Sequence, residues 1–213
     1  MTKIKYILLF TVLSLTVTLI HFSSKTFADE TVTKSSLMLV KERADQGNVN
    51  AQLKLGMTYV LGQGVSADYQ KAAEYFNKAA NQGNAFAQYN LGSMYYYGKG
   101  VPQDDQKAIE YFNKAADQGN VSALTQLGVI YAEGQGVSQD YQKAAEYWDK
   151  AANQGYEAAQ YNLGRMYYYG RGFPQDSQKT IEYFNKAADQ GDVIAQQNLK
   201  KIYDQDRDLS QKH

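Results

Sequence analysis

The chain has 213 residues with 22 basic and 22 acidic side chains, and it contains no cysteine. The missing cysteine excludes disulfides, a thiol nucleophile and a thiolate-rich metal site. Basic residues alternate with acidic ones instead of forming a stripe, which argues against nucleic acid as a partner.

The N-terminal segment has the pattern of a secretory signal peptide. Lys3 and Lys5 precede an uncharged apolar run over residues 6–20, and the segment ends in Thr26-Phe27-Ala28. As a helix the run spans about 22 Å, less than the roughly 30 Å of a bilayer's hydrocarbon core, so stable membrane insertion is not expected. We expect cleavage after Ala28 and a periplasmic or secreted protein. An uncleaved N-terminal anchor is the alternative.

A unit of 36 residues repeats through the rest of the chain. Glycines keep its register in several columns, among them Gly56, Gly92, Gly128 and Gly164. A period of this length indicates a stacked array of units that bury their apolar faces against one another. The predicted organisation is an N-terminal half-repeat over 29–50, four repeats over 51–86, 87–122, 123–158 and 159–194, and a C-terminal capping helix and tail over 195–213 that frays from residue 205.

Each repeat is predicted to fold as two helices joined by a glycine turn. In the second repeat, Ala87, Leu91 and Tyr95 are spaced four apart and share one face of the first helix, helix A. Gly92 adjoins Leu91, and its missing side chain would let another helix approach closely. Residues 98–102 then end helix A, because paired glycines supply positive φ and proline cannot continue the helix.

The second helix of each repeat, helix B, has its own start and stop signals. An aspartate is the predicted N-cap, and a glycine such as Gly119 is the predicted left-handed residue after the C-terminus. The four predicted caps are Asp68, Asp104, Asp140 and Asp176. A glutamate four residues before a lysine, as in Glu110 and Lys114, predicts a surface pair on helix B.

Nineteen tyrosines are present, and most occur in repeating columns. Two columns fall on the apolar faces of helices A and B, and we expect them in the core. These residues are Tyr59, Tyr95, Tyr131, Tyr167, Tyr203, Tyr75, Tyr111, Tyr147 and Tyr183.

Read together, the columns spell Ala-x3-Leu-Gly-x2-Tyr-x2-Gly-x-Gly-Val-x2-Asp-x2-Lys-Ala-x3-Tyr-x2-Lys-Ala-Ala-x2-Gly, which resembles the Sel-1-like repeat family. The resemblance implies an all-α fold, a right-handed α-α superhelix of helix-turn-helix repeats related to tetratricopeptide repeats, with helix A lining the concave side. It also implies an exported bacterial adaptor of the envelope or of host contact. Some exported relatives are cysteine-rich and are linked to penicillin binding and hydrolysis, and this cysteine-free chain departs from them.

By the tetratricopeptide pattern, certain columns of helix A face the inner groove. The predicted partner-binding residues are Leu53, Met57, Tyr89, Ser93, Tyr96, Tyr97, Thr125, Val129, Tyr161, Arg165, Tyr168 and Tyr169. Tyrosine gives a large contact area and a hydroxyl, as at recognition surfaces. We therefore predict a scaffold that binds a protein or peptide here. Two alternatives stay open: a glycan such as peptidoglycan stacks on the tyrosines, or the rings only pack against the next helix A.

Enzyme activity is not predicted, nor is a cofactor or a metal site. His21 and His213 lie in the predicted signal peptide and tail, so no histidine base is available. The acids of helix B recur once per repeat instead of gathering in pairs, and the glycine turns lack the context of a phosphate loop. A cysteine-free relative of the β-lactamase-like Sel-1 repeat proteins is the third alternative.

Overall fold

The computed structural model describes residues 36–210, and the predicted signal peptide and its cleavage site lie outside them. All regular elements in this range are α-helices, and none of the described residues forms a strand. The helices are α1 (36–45), α2 (Val49–Leu61), α3 (Tyr69–Asn81), α4 (Ala85–Tyr97), α5 (Asp105–Ala116), α6 (Val121–Glu133), α7 (Tyr141–Ala152), α8 (Glu157–Tyr169), α9 (Ser177–Ala188) and α10 (Val193–Ser210). The predicted all-α solenoid of helix pairs is confirmed.

Two compact units divide the chain, Met1–Tyr75 and Phe76–His213. In the first unit, Ala44 of α1 and Leu55 of α2 form a small core with Tyr75. In the second unit, each helix from α4 to α9 packs against the helix that follows it in the sequence. The main packing contacts of this unit therefore join successive helices, as in other solenoids.

The glycines in the middle of helix A lie where helix A meets helix B of the same repeat. A methyl group at Gly92 would come within 2.9 Å of the Phe112 ring. Gly128 and Gly164 are covered even more closely by the aromatic residue of their own helix B. The expected close approach is therefore confirmed, and the approaching group is a buried aromatic ring.

Side-chain caps begin helix B in all four repeats and helix A in the first three, whereas α8 begins without one. The Asp104 side chain accepts a hydrogen bond from the Lys107 backbone N–H over 3.0 Å, and the other three predicted aspartates do the same in their repeats. Helix A has a cap that the sequence analysis did not identify: Asn84 accepts from the Ala87 N–H over 2.9 Å. The C-terminal glycine is confirmed as left-handed, with φ of 79° at Gly119.

A buried glutamine, also not identified from sequence, links the ends of successive B helices. Gln160 donates to the Ala152 carbonyl over 3.4 Å and accepts from Gln190 over 2.8 Å. Gln88, the equivalent residue of the second repeat, donates to the Ala80 carbonyl and accepts from Gln118 in the same way. The third repeat has Leu124 in this position, where it is equally buried.

The prediction of a tyrosine core is wrong for most of its members. Of the nine, Tyr75 is buried and Tyr203 is 50% exposed. The other seven are half-buried: Tyr59, Tyr95, Tyr111, Tyr131, Tyr147, Tyr167 and Tyr183. A tyrosine on an apolar helix face can keep its hydroxyl and one ring edge in water while the rest of the ring packs. The apolar spacing therefore gives the face of the helix and not the depth of burial.

These tyrosines stack in pairs between helices A and B of one repeat. The rings of Tyr95 and Tyr111 lie 5.8 Å apart with an interplanar angle of 4°, and the corresponding pair is stacked in each of the other three repeats. The Lys107 ammonium lies 5.2 Å from the Tyr95 ring centre. The stacked tyrosine pairs and the neighbouring lysines thus form a partly exposed row of aromatic rings and cations.

The expected fraying of the tail is also corrected, because α10 continues through residue 205 to Ser210. Its last turn contains an i,i+3 ion pair, with 2.9 Å between Arg207 and Asp204. Such pairs support a helix by a few tenths of a kcal/mol, about 0.2–0.5.

Candidate binding groove

The predicted groove residues lie on helix A of the four repeats. Leu53 and Met57 belong to the first unit and are half-buried on α2. The other ten belong to α4, α6 and α8 of the second unit, and their side chains range from half-buried to 61% exposed. These three helices define what we call the groove face below.

Two of the predicted tyrosines are packing residues. The ring of Tyr89 lies 5.8 Å from that of Phe112, and the ring of Tyr161 lies 5.7 Å from that of Phe184. Tyr89 is half-buried, and this burial raises the pKa of its phenol. Both rings pack against helix B of their own repeat, a contact that the sequence analysis did not anticipate.

Tyr96 closes the interface between the second and third repeats. Its hydroxyl donates a hydrogen bond to Gln135 Oε1 over 2.5 Å, and its ring lies 6.3 Å from the Phe112 ring. Burial, and secondarily the charge of Glu133, raises the pKa of the Tyr96 phenol. This side chain is held on both sides, so it stabilises the interface and offers little free surface.

Three groove tyrosines remain open to solvent. Tyr97 is 61% exposed, Tyr168 41% and Tyr169 52%. Tyr97 contacts the Tyr96 ring edge to face at 4.8 Å, and Tyr169 contacts Tyr168 in the same way at 4.9 Å. Edge-to-face contact fixes the ring orientation and leaves apolar surface exposed. These rings therefore present a preorganised surface.

The third repeat has small side chains on the groove face, and a cavity lies there. Ala132 occupies the position that Tyr96 has in the second repeat. The cavity has a volume of about 120 Å³, and its lining includes Ala132, Val129 and Trp148. Trp148 is 5% exposed and its indole N–H donates to the Thr125 carbonyl over 3.1 Å. The indole therefore forms a fixed apolar wall.

Two arginines border this cavity. The Arg165 guanidinium lies 5.8 Å from the Tyr161 ring centre. The Arg171 guanidinium lies 5.7 Å from the ring of Tyr141 and 5.2 Å from that of Tyr169. Within residues 36–210, neither arginine forms an ion pair. The aromatic faces hold both guanidinium groups while their N–H donors stay available.

A second cavity, of about 430 Å³, adjoins the first and is lined by residues of α8, α9 and α10. The two cavities share Arg165 and Tyr169, and Lys201 lines the second. Glu133 is the acidic residue among those that line the first. The combined lining of the two cavities therefore carries three positive charges, from Arg165, Arg171 and Lys201, and one negative charge.

The groove face has a distinct set of chemical groups. It combines exposed ring faces, a small cavity with the indole of Trp148 as one wall, and guanidinium donors. Across the described residues there is no group of three or more His, Asp or Glu side chains that could hold a metal ion. No helix in the described part of the chain is long and apolar enough to cross a membrane.

The fold and the groove together define a helical repeat protein of the α-solenoid class. The Sel1 repeat family model matches residues 49–84, 85–120, 121–156 and 157–192, and the chain belongs to this family. The period is the predicted one, and each matched repeat starts two residues before the predicted boundary. Sel1 repeats generally serve as scaffolds for protein–protein interactions. Among curated proteins, none matches the chain.

Solved structures show the same repeat. The chain is 38% identical, with a TM-score of 0.75, to c5321, a protective antigen of uropathogenic Escherichia coli strains with an SLR fold; the match covers 77% of this chain and 35% of that one. It is 37% identical, with a TM-score of 0.71, to a Sel1 repeat protein from Oxalobacter formigenes, covering 74% and 64%. The immunity protein Pa5087 from Pseudomonas aeruginosa is 26% identical, with a TM-score of 0.52, covering 75% and 59%. The chain thus spans about a third of the Escherichia coli chain and less than two thirds of the other two.

Proposed function

We propose that this protein is an exported scaffold that binds a protein or peptide partner on the groove face of its second unit. The observation that carries the proposal is the set of solvent-exposed, mutually oriented tyrosines, of which Tyr169 lines the cavity beside Trp148. Tyrosine contributes binding energy at low entropic cost, because its ring is rigid and amphipathic. Membership of a family of interaction scaffolds supports the same function.

Export is proposed from the lysines, the short apolar run and the Thr26-Phe27-Ala28 sequence of the N-terminal segment. Mass spectrometry of the protein from its native cell tests this. The expected product begins at Asp29 and is recovered from the periplasm or the medium. Cytoplasmic protein that retains Met1 would contradict the proposal.

Site-specific photocrosslinking tests the binding face. A photoreactive amino acid replaces Tyr97 or Tyr169 on the groove face, or Glu110 on the exposed surface of α5 as a control. We expect both groove positions to capture the same protein in the native cell and the control position not to capture it. Equal capture from all three positions would contradict a partner on the groove face.

A matched pair of variants completes the test. Tyr97→Ala combined with Tyr169→Ala should weaken binding of the captured protein, whereas Tyr203→Ala, which removes an equally exposed ring from α10, should not. Saturable binding to peptidoglycan fragments, lost in the double variant, would instead support the glycan alternative.

A further inference from the structure

The interface between the third and fourth repeats lacks a side-chain contact that is present between the second and third repeats. In the second repeat, the Tyr96 hydroxyl reaches Gln135, 39 positions later in the sequence. One repeat further on, the equivalent positions are Ala132 and Arg171. A methyl group cannot span this gap or accept a hydrogen bond. The cavity of about 120 Å³ lies beside Ala132, where the tyrosine ring is missing.

Because residue 132 is alanine, the Arg171 guanidinium lacks the contact that a tyrosine hydroxyl at this position would offer. Arg171 instead lies over the rings of Tyr141 and Tyr169, at 5.7 Å and 5.2 Å. Stacking restrains the plane of the guanidinium and leaves its in-plane N–H donors free. Arg165, which lines the same cavity, is likewise without an ion pair in the described range.

A planar pair of N–H donors matches a carboxylate, which it binds through two parallel charge-assisted hydrogen bonds. An apolar cavity of roughly 150 Å³ admits a molecule the size of benzene, so a cavity somewhat smaller suits an aliphatic side chain. The apolar wall of Trp148 and the donors of Arg171 line one cavity. Its occupant should therefore carry both groups close together.

Resting on the proposed function, we infer that this cavity selects acidic segments of the partner. An aliphatic side chain of the partner packs against Trp148, and an adjacent aspartate or glutamate binds Arg171 and Arg165. Glu133 on the same rim opposes this binding, but the two guanidinium groups outweigh its single charge. Tyr96 and Tyr168 fill this position in the second and fourth repeats, whereas Ala132 leaves it open in the third. The interface between the third and fourth repeats thus acts as a specificity pocket.

Selection from a phage-displayed library of random dodecapeptides on the full chain tests the inference. We expect the recovered peptides to share an acidic residue next to an aliphatic one. Trp148 is the single tryptophan of the chain and lines the cavity, so its fluorescence reports binding of a synthetic recovered peptide. The same peptide with its acids replaced by amides should bind about tenfold more weakly or worse.

Variants of the protein separate the two parts of the pocket. Ala132→Tyr restores the residue found in the second and fourth repeats, so we expect a folded protein whose filled cavity no longer binds the peptide. Arg171→Gln should weaken binding about tenfold, and Glu133→Gln should strengthen it. Arg207→Gln is the matched control, because it removes an arginine of α10 that lines neither cavity.

Recovered peptides without enriched acids, or binding that Ala132→Tyr leaves unchanged, would overturn the inference. Failure to recover any peptide would overturn it as well. The crosslinking experiment decides the proposed function separately, since a partner captured at Tyr97 and Tyr169 would keep the scaffold function even if this pocket had no part in it.

Discussion

Tyr147 of α7 donates a hydrogen bond from its hydroxyl to Asn113 Oδ1 of α5, 3.1 Å away, and thereby joins the B helices of consecutive repeats. Tyr111 and Asn77 form the same contact one repeat earlier, over 3.4 Å. The bond is part-buried, and burial raises the pKa of the Tyr147 phenol. The tyrosine stacks thus stabilise the interface between repeats as well as the repeat itself.

Replacement of Tyr147 by phenylalanine should lower the free energy of unfolding by about 0.5–1.5 kcal/mol, because the ring is kept and only the hydrogen bond is lost. Tyr183→Phe is the control. Tyr183 is stacked in the same way, but Asp149 takes the place of the asparagine, and within the described residues no hydrogen bond of its hydroxyl is recorded. Urea denaturation measures both variants; an equal loss in the two would show that the Tyr147 bond contributes nothing of its own.

Gly128→Ala should destabilise the protein by about 1–2 kcal/mol. A helical glycine replaced by alanine normally gains up to about 1 kcal/mol, but the new methyl group would overlap the Trp148 indole and force the two helices apart. Gly92→Ala should cost less, because the nearest Phe112 atom would be 2.9 Å away. Thermal melting compares the two, and a Gly128→Ala protein as stable as the parent would contradict the packing described for this glycine.

Acid should weaken the cap of α5. The hydrogen bond from the Lys107 backbone N–H lowers the pKa of Asp104 from its ordinary 3.8. Since the folded-state pKa is the lower one, the carboxylate stabilises the fold fully above pH 3.8, and this contribution disappears as the pH falls through the folded-state value. Asp104→Asn keeps a capping side chain that does not titrate.

The melting temperatures of the parent and of Asp104→Asn, followed from pH 7 down to about pH 2.5, check this expectation. The parent should be the more stable at neutral pH, and its advantage should vanish in acid. A difference that stays constant over the whole range would mean that the charge of Asp104 has no role in the cap.

Truncation should lower stability in steps. A chain that ends after Gly155 loses α8, α9 and α10 and exposes Trp148 and Ala151, which belong to the core cluster shared with the fourth repeat. Circular dichroism of residues 29–155 should show a helical fragment with a lower melting temperature, because contacts join neighbouring repeats only. Sedimentation should show self-association through the exposed apolar end. A fragment that is fully unfolded at low temperature would contradict additive stability.

The sequence predicted the period, the helix pairs, the aspartate caps and the packing glycines, because each has a local signature. A glycine such as Gly92 in the middle of an apolar helix face points to a close neighbour, and Asp104 before helix B satisfies backbone N–H groups only a few residues away. These signals do not depend on the way in which the repeats stack.

The features that the sequence did not predict arise only when the repeats pack against one another. From the sequence alone Gln160 is indistinguishable from a surface residue, but in the fold it hydrogen-bonds to the end of α7. Tyr95 has the spacing of a core residue, but it stacks on Tyr111 and is only half-buried. The cavity beside Ala132 arises from residues 39 positions apart in the sequence. A column comparison could have found it, since Ala132 is the smallest residue in a column that has tyrosine in the second and fourth repeats.

The contacts of α4 to α10 join residues of the same repeat or of adjacent repeats, and this bears on how the chain acquires its structure during synthesis. Even the contact between Tyr96 and Gln135 closes a loop of 39 residues, and short loops have a small closure entropy. A repeat can therefore complete its interfaces as soon as the next repeat has left the ribosome, without waiting for the C-terminal residues. Folding can then proceed from the N-terminus to the C-terminus at the pace of translation, and each newly folded repeat covers the apolar edge of the one before it.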